Sequence, residues 1–94
     1  MRVVVLLPGV LRPTAEDRPK LELDVEEPAT LGDALDLLAA RYPQLDRRLR
    51  DERSTLRRYV NFYVDGEECR RLDGPNTRLH PNTEIQILPS VAGG

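Results

Sequence analysis

The run Arg2-Val3-Val4-Val5-Leu6-Leu7 constrains this chain more than any other segment. Three β-branched residues followed by two leucines favour an extended strand. Side chains alternate along a strand, so Val3, Val5 and Leu7 share one face while Val4 and Leu6 take the other. Apolar on both faces, such a strand belongs inside a sheet rather than at its rim. The rest of the chain must therefore supply neighbouring strands and a cover. Pro8, Gly9 and Pro13 end the strand and open a long polar loop, expected to run to Pro19. The same stretch has the outline of a secretory leader, but Pro8 and Gly9 interrupt it, Arg12 closes it, and no small-x-small cleavage site follows.

The remaining segments read in order. Over residues 20–26, Leu21, Leu23 and Val25 alternate with acids, which predicts a half-buried strand paired with the first as a hairpin. Thr30 then offers a helix cap with Asp33 three residues on. Leu31, Ala34, Leu35 and Leu38 fall at helical spacing, and the helix should end by Arg41-Tyr42-Pro43. A second short helical stretch is expected over 44–50, from Leu45 and Leu49. Residues 46–58 carry six Arg against three acids and read as a solvated loop, with a partner-docking patch as the other reading. YVNFYV, residues 59–64, has strand composition; Asp65-Gly66 signals a hairpin turn, and Glu67 to Leu72 would be the return strand. After a loop, residues 83–88 alternate again with Ile85 and Ile87 on one face, and Pro89 ends that strand.

The order β-β-α-β-β-β in 94 residues implies an α+β domain, one helix packed on a mixed sheet. At this length the natural solution is the ubiquitin-like β-grasp, with its first and last strands side by side and parallel at the centre. Residues 1–88 would form that domain and 89–94 a flexible C-terminal tail. A charge of -2 gives no general pull toward nucleic acid, and the Arg-rich stretch lacks interleaved aromatics for base stacking. The longest apolar run is far below the ~18 residues of a membrane span. With Cys69 alone no internal disulfide forms, so the expected compartment is the cytoplasm.

Few side chains offer chemistry. One His and one Cys exclude a Cys/His metal cluster. His80 sits in a His-Pro turn and reads as an exposed loop residue; Cys69 reads as a half-buried strand thiol, although Arg70 and Arg71 beside it would favour a thiolate. No glycine-rich phosphate loop and no nucleophile elbow occur. The segment Asp65-Gly66-Glu67-Glu68 is too short for a calcium loop.

What remains is the end, Pro89-Ser90-Val91-Ala92-Gly93-Gly94. These six residues, extended, reach on the order of 20 Å. Small side chains let the segment thread a narrow channel, and Gly94 presents its α-carboxylate with no Cβ beside it. Such a terminus suits carboxylate activation and acyl transfer. Two terminal glycines arise by chance in roughly 0.5% of chains, so the pair gains weight from directly following the last strand of a β-grasp pattern.

The chain resembles the ThiS/MoaD group of sulfur-carrier proteins. The resemblance rests on VVVLLPGVLRP in the first strand, TLGDALDLL at the helix start, the VNFYVDGE hairpin and, most specifically, ILPSVAGG at the end. It implies that an E1-like adenylating enzyme uses ATP to adenylate Gly94 and that the product becomes a thiocarboxylate donating sulfur to an acceptor enzyme. Gly93 would give access, and Val91 and Ala92 would line the partner's channel. No bound cofactor is implied for the carrier itself, which acts as a protein co-substrate rather than an enzyme. Leu-Arg-Pro at 11–13, the 58–64 strand and the Ser-Val-Ala-Gly-Gly end resemble most the carrier of a bacterial cysteine pathway. There the thiocarboxylate reacts with an aminoacrylate on a pyridoxal-phosphate cysteine synthase, and a metallopeptidase frees the cysteine. The small subunit of molybdopterin synthase shares the Val-Ala-Gly-Gly ending, whereas thiamine carriers are shorter in their loops. A carrier serving several pathways stays open, as do a ubiquitin-like modifier and an interaction module with an idle tail. Alternation also turns Val4, Leu6, Leu88 and Tyr63 onto the sheet face away from the helix, the expected partner-docking surface.

Overall fold

The computed structural model describes residues 1–90, so the expected roles of Val91, Ala92, Gly93 and Gly94 lie outside the described residues. Five strands form one mixed sheet: β1 (Arg2–Leu6), β2 (Lys20–Asp24), β3 (Val60–Val64), β4 (Glu67–Glu68) and β5 (Glu84–Pro89). Two helices, α1 (Leu31–Arg41) and α2 (Pro43–Leu49), join the halves. The order across the sheet is β2-β1-β5-β3-β4. β1 and β5 pair in parallel, Val5 opposite Ile85, and every other pairing is antiparallel. The β-grasp order read from the sequence is the one observed.

Alternation sets the core. Val3, Val5, Ile85, Ile87 and Phe62 are all fully buried on one face, against Leu31, Ala34, Leu35 and Leu38 of α1. Thr30 starts α1 with a reciprocal cap: its Oγ1 accepts the Asp33 amide at 3.3 Å, and the Asp33 carboxylate accepts the Thr30 amide at 2.9 Å. The hairpin after β3 turns through Asp65 and Gly66, with φ of 49° and 90°, the pair of positive values a type I′ turn requires. The Asp65 carboxylate also accepts the Glu84 amide at 2.9 Å and the Thr83 hydroxyl at 3.1 Å, tying this turn to the start of β5.

Three expectations need correction. The loop after β1 is not featureless: Gly9–Ala15 forms a 3₁₀ helix that buries Leu11 and Ala15 and packs against α2. The Arg-rich stretch is not a solvated loop throughout: the short helix expected over 44–50 is present as α2, and the following Arg50 is 6% exposed. The return strand stops at Glu68, and Cys69–Arg71 turns as a 3₁₀ segment. The cause is local. The Glu68 carboxylate accepts the Phe62 amide and the Arg70 amide, each at 3.0 Å, and the Arg70 guanidinium at 2.9 Å. A side chain thus takes the place of the next ladder bond. Burial alone would raise the Glu68 pKa, but these donors outweigh it and hold the carboxyl below its usual range.

Candidate functional site

The candidate site is the end of the sheet at which the described residues stop. β5 ends at Pro89, opposite Val60, and the next residue is fixed by two bonds to one acceptor: the Ser90 amide and hydroxyl both donate to the Tyr59 carbonyl, at 2.6 and 2.8 Å. Tyr59 enters the site through a backbone oxygen, which no side-chain pattern announces.

The face away from α1 carries the four docking candidates. Leu6 and Tyr63 both register with Gln86, so they flank β5 in one cross-strand row. Val4 lies one step back on β1, opposite Glu84, and Leu88 lies one step forward on β5, opposite Asn61. Val4, Leu6 and Tyr63 are half-buried, and Leu88 is 37% exposed. These positions match the alternation argument, and Tyr59, more than half exposed, adds an aromatic ring near the same end. Beside Leu6 and Leu88 the ends of β1 and β5 open into a groove of about 310 Å³, whose wall includes Pro8, Arg12, Lys20 and Gln86. Arg12 is held there by its Nε, which donates to the Leu7 carbonyl at 3.0 Å. Sequence reading missed Arg12 and Lys20 because the 3₁₀ turn after β1 folds Arg12 back onto Leu7, and the β1–β2 pairing sets Lys20 opposite Leu6.

The other chemical candidates are not at this end's surface. Cys69 is wholly buried at the start of its 3₁₀ turn rather than half-buried in a strand. Burial, then the neighbouring Glu68 carboxylate, push its thiol up to about 11, outweighing Arg70. At neutral pH only about one molecule in ten thousand would carry the thiolate. Cys69→Ser is therefore expected to leave sulfur loading near wild type, measured by intact mass; loss of loading in a folded variant would assign the thiol a transfer step. His80 is exposed in its turn. Among the described residues no group of three or more His, Cys, Asp or Glu side chains is placed to hold a metal, and no helix is long and apolar enough to cross a membrane.

The profile of the ThiS family matches residues 5–94. The sulfur carrier protein CysO of Mycobacterium tuberculosis is 35% identical over 96 residues, covering 100% of both chains. The molybdopterin synthase sulfur carrier subunit of the same species is 30% identical over 95 residues, covering 100% of this chain and 99% of that one. Small archaeal modifier protein 3 of Haloferax volcanii is 37% identical over 70 residues, 74% of this chain and 75% of its own. Among solved structures, M. tuberculosis CysO superposes with a TM-score of 0.84 at 33% identity, covering 95% of this chain and 99% of that one. A chain of the Amycolatopsis orientalis BexX/CysO complex gives 0.86 at 30% identity, covering 98% of this chain and 99% of that one. The chain belongs to the ThiS family and is a sulfur carrier of the ThiS/MoaD group.

Proposed function

We propose that the Gly94 α-carboxylate is the working group of this carrier, loaded with sulfur by an activating partner and unloaded at an acceptor enzyme of cysteine biosynthesis. The observation that carries the reading is the end-to-end match to CysO, which includes this chain's own terminal glycines. An E1-like enzyme supplies ATP. A Gly94 carboxylate oxygen attacks the α-phosphorus, pyrophosphate leaves, and an acyl-adenylate results. A sulfide donor then attacks the acyl carbon, AMP leaves, and a thiocarboxylate remains. ATP belongs to the partner's site, and this chain needs no resident cofactor. A pyridoxal-phosphate cysteine synthase is the acceptor of this reading, and the cytoplasm is the compartment where these partners meet the carrier.

Geometry supports the division of labour. The domain supplies a fixed root at Ser90 and a docking face, while Val91 to Gly94 enter the partner's channel. Both enzymes must grip the domain during transfer, and Val4, Leu6, Tyr63 and Leu88 form the apolar patch suited to that grip. That a CysO was crystallised in complex with BexX supports a domain of this shape docking on another protein. Leu88→Asp puts a charge into the patch without touching the core. It should weaken binding to the activating enzyme about tenfold, the scale of a modest hot spot. A titration showing unchanged affinity, with the variant folded by circular dichroism, would remove Leu88 from the interface.

Two other readings have specific support. The match to a molybdopterin synthase sulfur carrier subunit favours the same loading with a different acceptor. The match to an archaeal modifier favours ligation of the carboxylate to target amines. Intact mass separates loading from ligation. With the activating enzyme, ATP and sulfide, a carrier gains one oxygen-to-sulfur exchange, and a modifier instead becomes attached to a target protein. Cysteine formation by a cysteine synthase given the loaded chain as sole sulfur source would then establish the pathway; sulfur release only to a molybdopterin-synthase large subunit would overturn it.

A further inference from the structure

Among the described residues the sheet has one long open edge, two strands away from β5. β2 is outermost on its side, whereas the opposite rim is the two-residue β4, closed off by the turn at Cys69–Arg71. The register fixes which backbone groups of β2 face outward. Val25 exchanges both backbone bonds with Met1, at 2.7 and 2.8 Å, and the Pro19 carbonyl accepts the Leu7 amide at 2.8 Å. Residues of that parity pair with β1, so the N–H and C=O groups of Lys20, Glu22 and Asp24 point away from the sheet. They form a ready template for another strand.

What stands along this edge selects the strand it would take. From Leu21 to Ala40 the sequence holds six acids and no basic residue. Glu22, Asp24, Glu26 and Asp33 are all exposed beside the edge or at its end. Arg2 sits 3.8 Å from Glu22 and 3.7 Å from Asp24, a loose contact that leaves the charge balance negative. At the end of the sheet opposite the tail, β2 and α1 frame a groove of about 490 Å³ whose walls include Val25, Ala29 and Leu37. Leu37 is one of few large apolar side chains left exposed, at 38%. Paired antiparallel about Glu22, a second copy of β2 would set Glu22 against Glu22 and Lys20 against Asp24, whereas a basic segment meets Glu22, Asp24 and Glu26 with opposite charge, so the acids of this edge favour a cationic strand.

We propose that the open edge of β2 takes up an extended basic segment of a partner protein as a sixth strand, with an apolar side chain of that segment seated against Leu37. β1 stands between this edge and β5, so the added strand leaves Leu88, Tyr63 and the tail uncovered. The carrier then holds one protein by its edge while another works on its carboxylate. This surface does not depend on which acceptor receives the sulfur.

The probe is a capped hexapeptide of alternating arginine and valine, titrated into the full-length ¹⁵N-labelled chain, with a glutamate–valine peptide as control. The Glu22 and Asp24 amides should shift and gain exchange protection with the basic peptide alone. Glu22→Pro removes one outward donor and no bond to β1, a change that edge strands tolerate. It should weaken binding about tenfold. Leu37→Ser, on an exposed helix position, should weaken it about threefold, and it carries the same test should the proline variant unfold. Equal binding of the acidic peptide, shifts centred on Leu88 and Tyr63 instead, or no shift at millimolar peptide would overturn the proposal. So would a concentration-dependent dimer that protects the same amides.

Discussion

Removing Gly93 and Gly94 is expected to abolish sulfur loading completely while leaving the domain folded. The buried core runs from Val3 to Ile87, and the last backbone anchor is the Ser90 amide on Tyr59. Nothing in that framework requires the final two residues, so stability should stay within about 0.5 kcal/mol of wild type, as for changes outside any packed feature. Chemistry, by contrast, has no substitute in the domain. The truncated chain would end in Ala92, with a carboxylate two residues closer to the sheet. Its reach would fall by roughly 7 Å, and a Cβ would stand next to the reacting carbon. Near-attack geometry tolerates errors of about 1 Å before rates fall a hundredfold, so this displacement leaves no measurable reaction. Intact mass after incubation with the activating enzyme, ATP and sulfide reads the result. An oxygen-to-sulfur increment on the truncated chain would mean that the reactive group is elsewhere.

How much of this was legible in the residues depends on how local each determinant is. The Thr30 cap needs only Asp33, the Asp65-Gly66 turn needs only its own φ angles, and both were readable. The parallel β1–β5 pair is remote in sequence, yet the two-sided apolarity of residues 3–7 demanded an interior strand, and the element order allowed few ways to provide one. The placement of Leu6 and Tyr63 across Gln86, with Leu88 one step further along β5, followed from strand parity alone. What escaped was set by side chains acting on distant backbone. Glu68 ends its own strand by capturing the Phe62 amide. Leu11 and Ala15 were hidden among polar neighbours, although their spacing of four is helical. Lys20 reaches the tail-end groove through the β1–β2 pairing, and Arg12 through the 3₁₀ turn that folds it back onto the Leu7 carbonyl. Six arginines in one stretch suggested solvent, a composition argument that is blind to the single position where a guanidinium turns inward.

That position, Arg50, should be the most costly polar residue to remove. Its Nε donates to Asp46 Oδ1 at 2.7 Å and its Nη1 to Asp36 Oδ1 at 2.8 Å, while Nη2 lies 3.5 Å from the Leu35 carbonyl. One side chain thus ties the last turn of α2 to the middle of α1 beneath a nearly closed surface. Burial by itself would lower the guanidinium's pKa, but the two carboxylates outweigh it and hold the charge in place. Arg50→Ala leaves a void between the helices and strands Asp46, whose side chain is only 23% exposed. The expected cost is about 2–3 kcal/mol, below the 3–5 kcal/mol of a fully buried pair because Asp36 is 68% exposed and already solvated. Two controls separate the contributions. Asp36→Ala should cost no more than about 0.5 kcal/mol, as an exposed partner. Arg50→Met keeps the apolar stem and should recover about half of the alanine loss. Urea unfolding monitored by circular dichroism measures all three. A loss under about 1 kcal/mol for Arg50→Ala, or Asp36→Ala costing as much as Arg50→Ala, would show that the clamp adds little beyond the packing of Leu45 and Leu49.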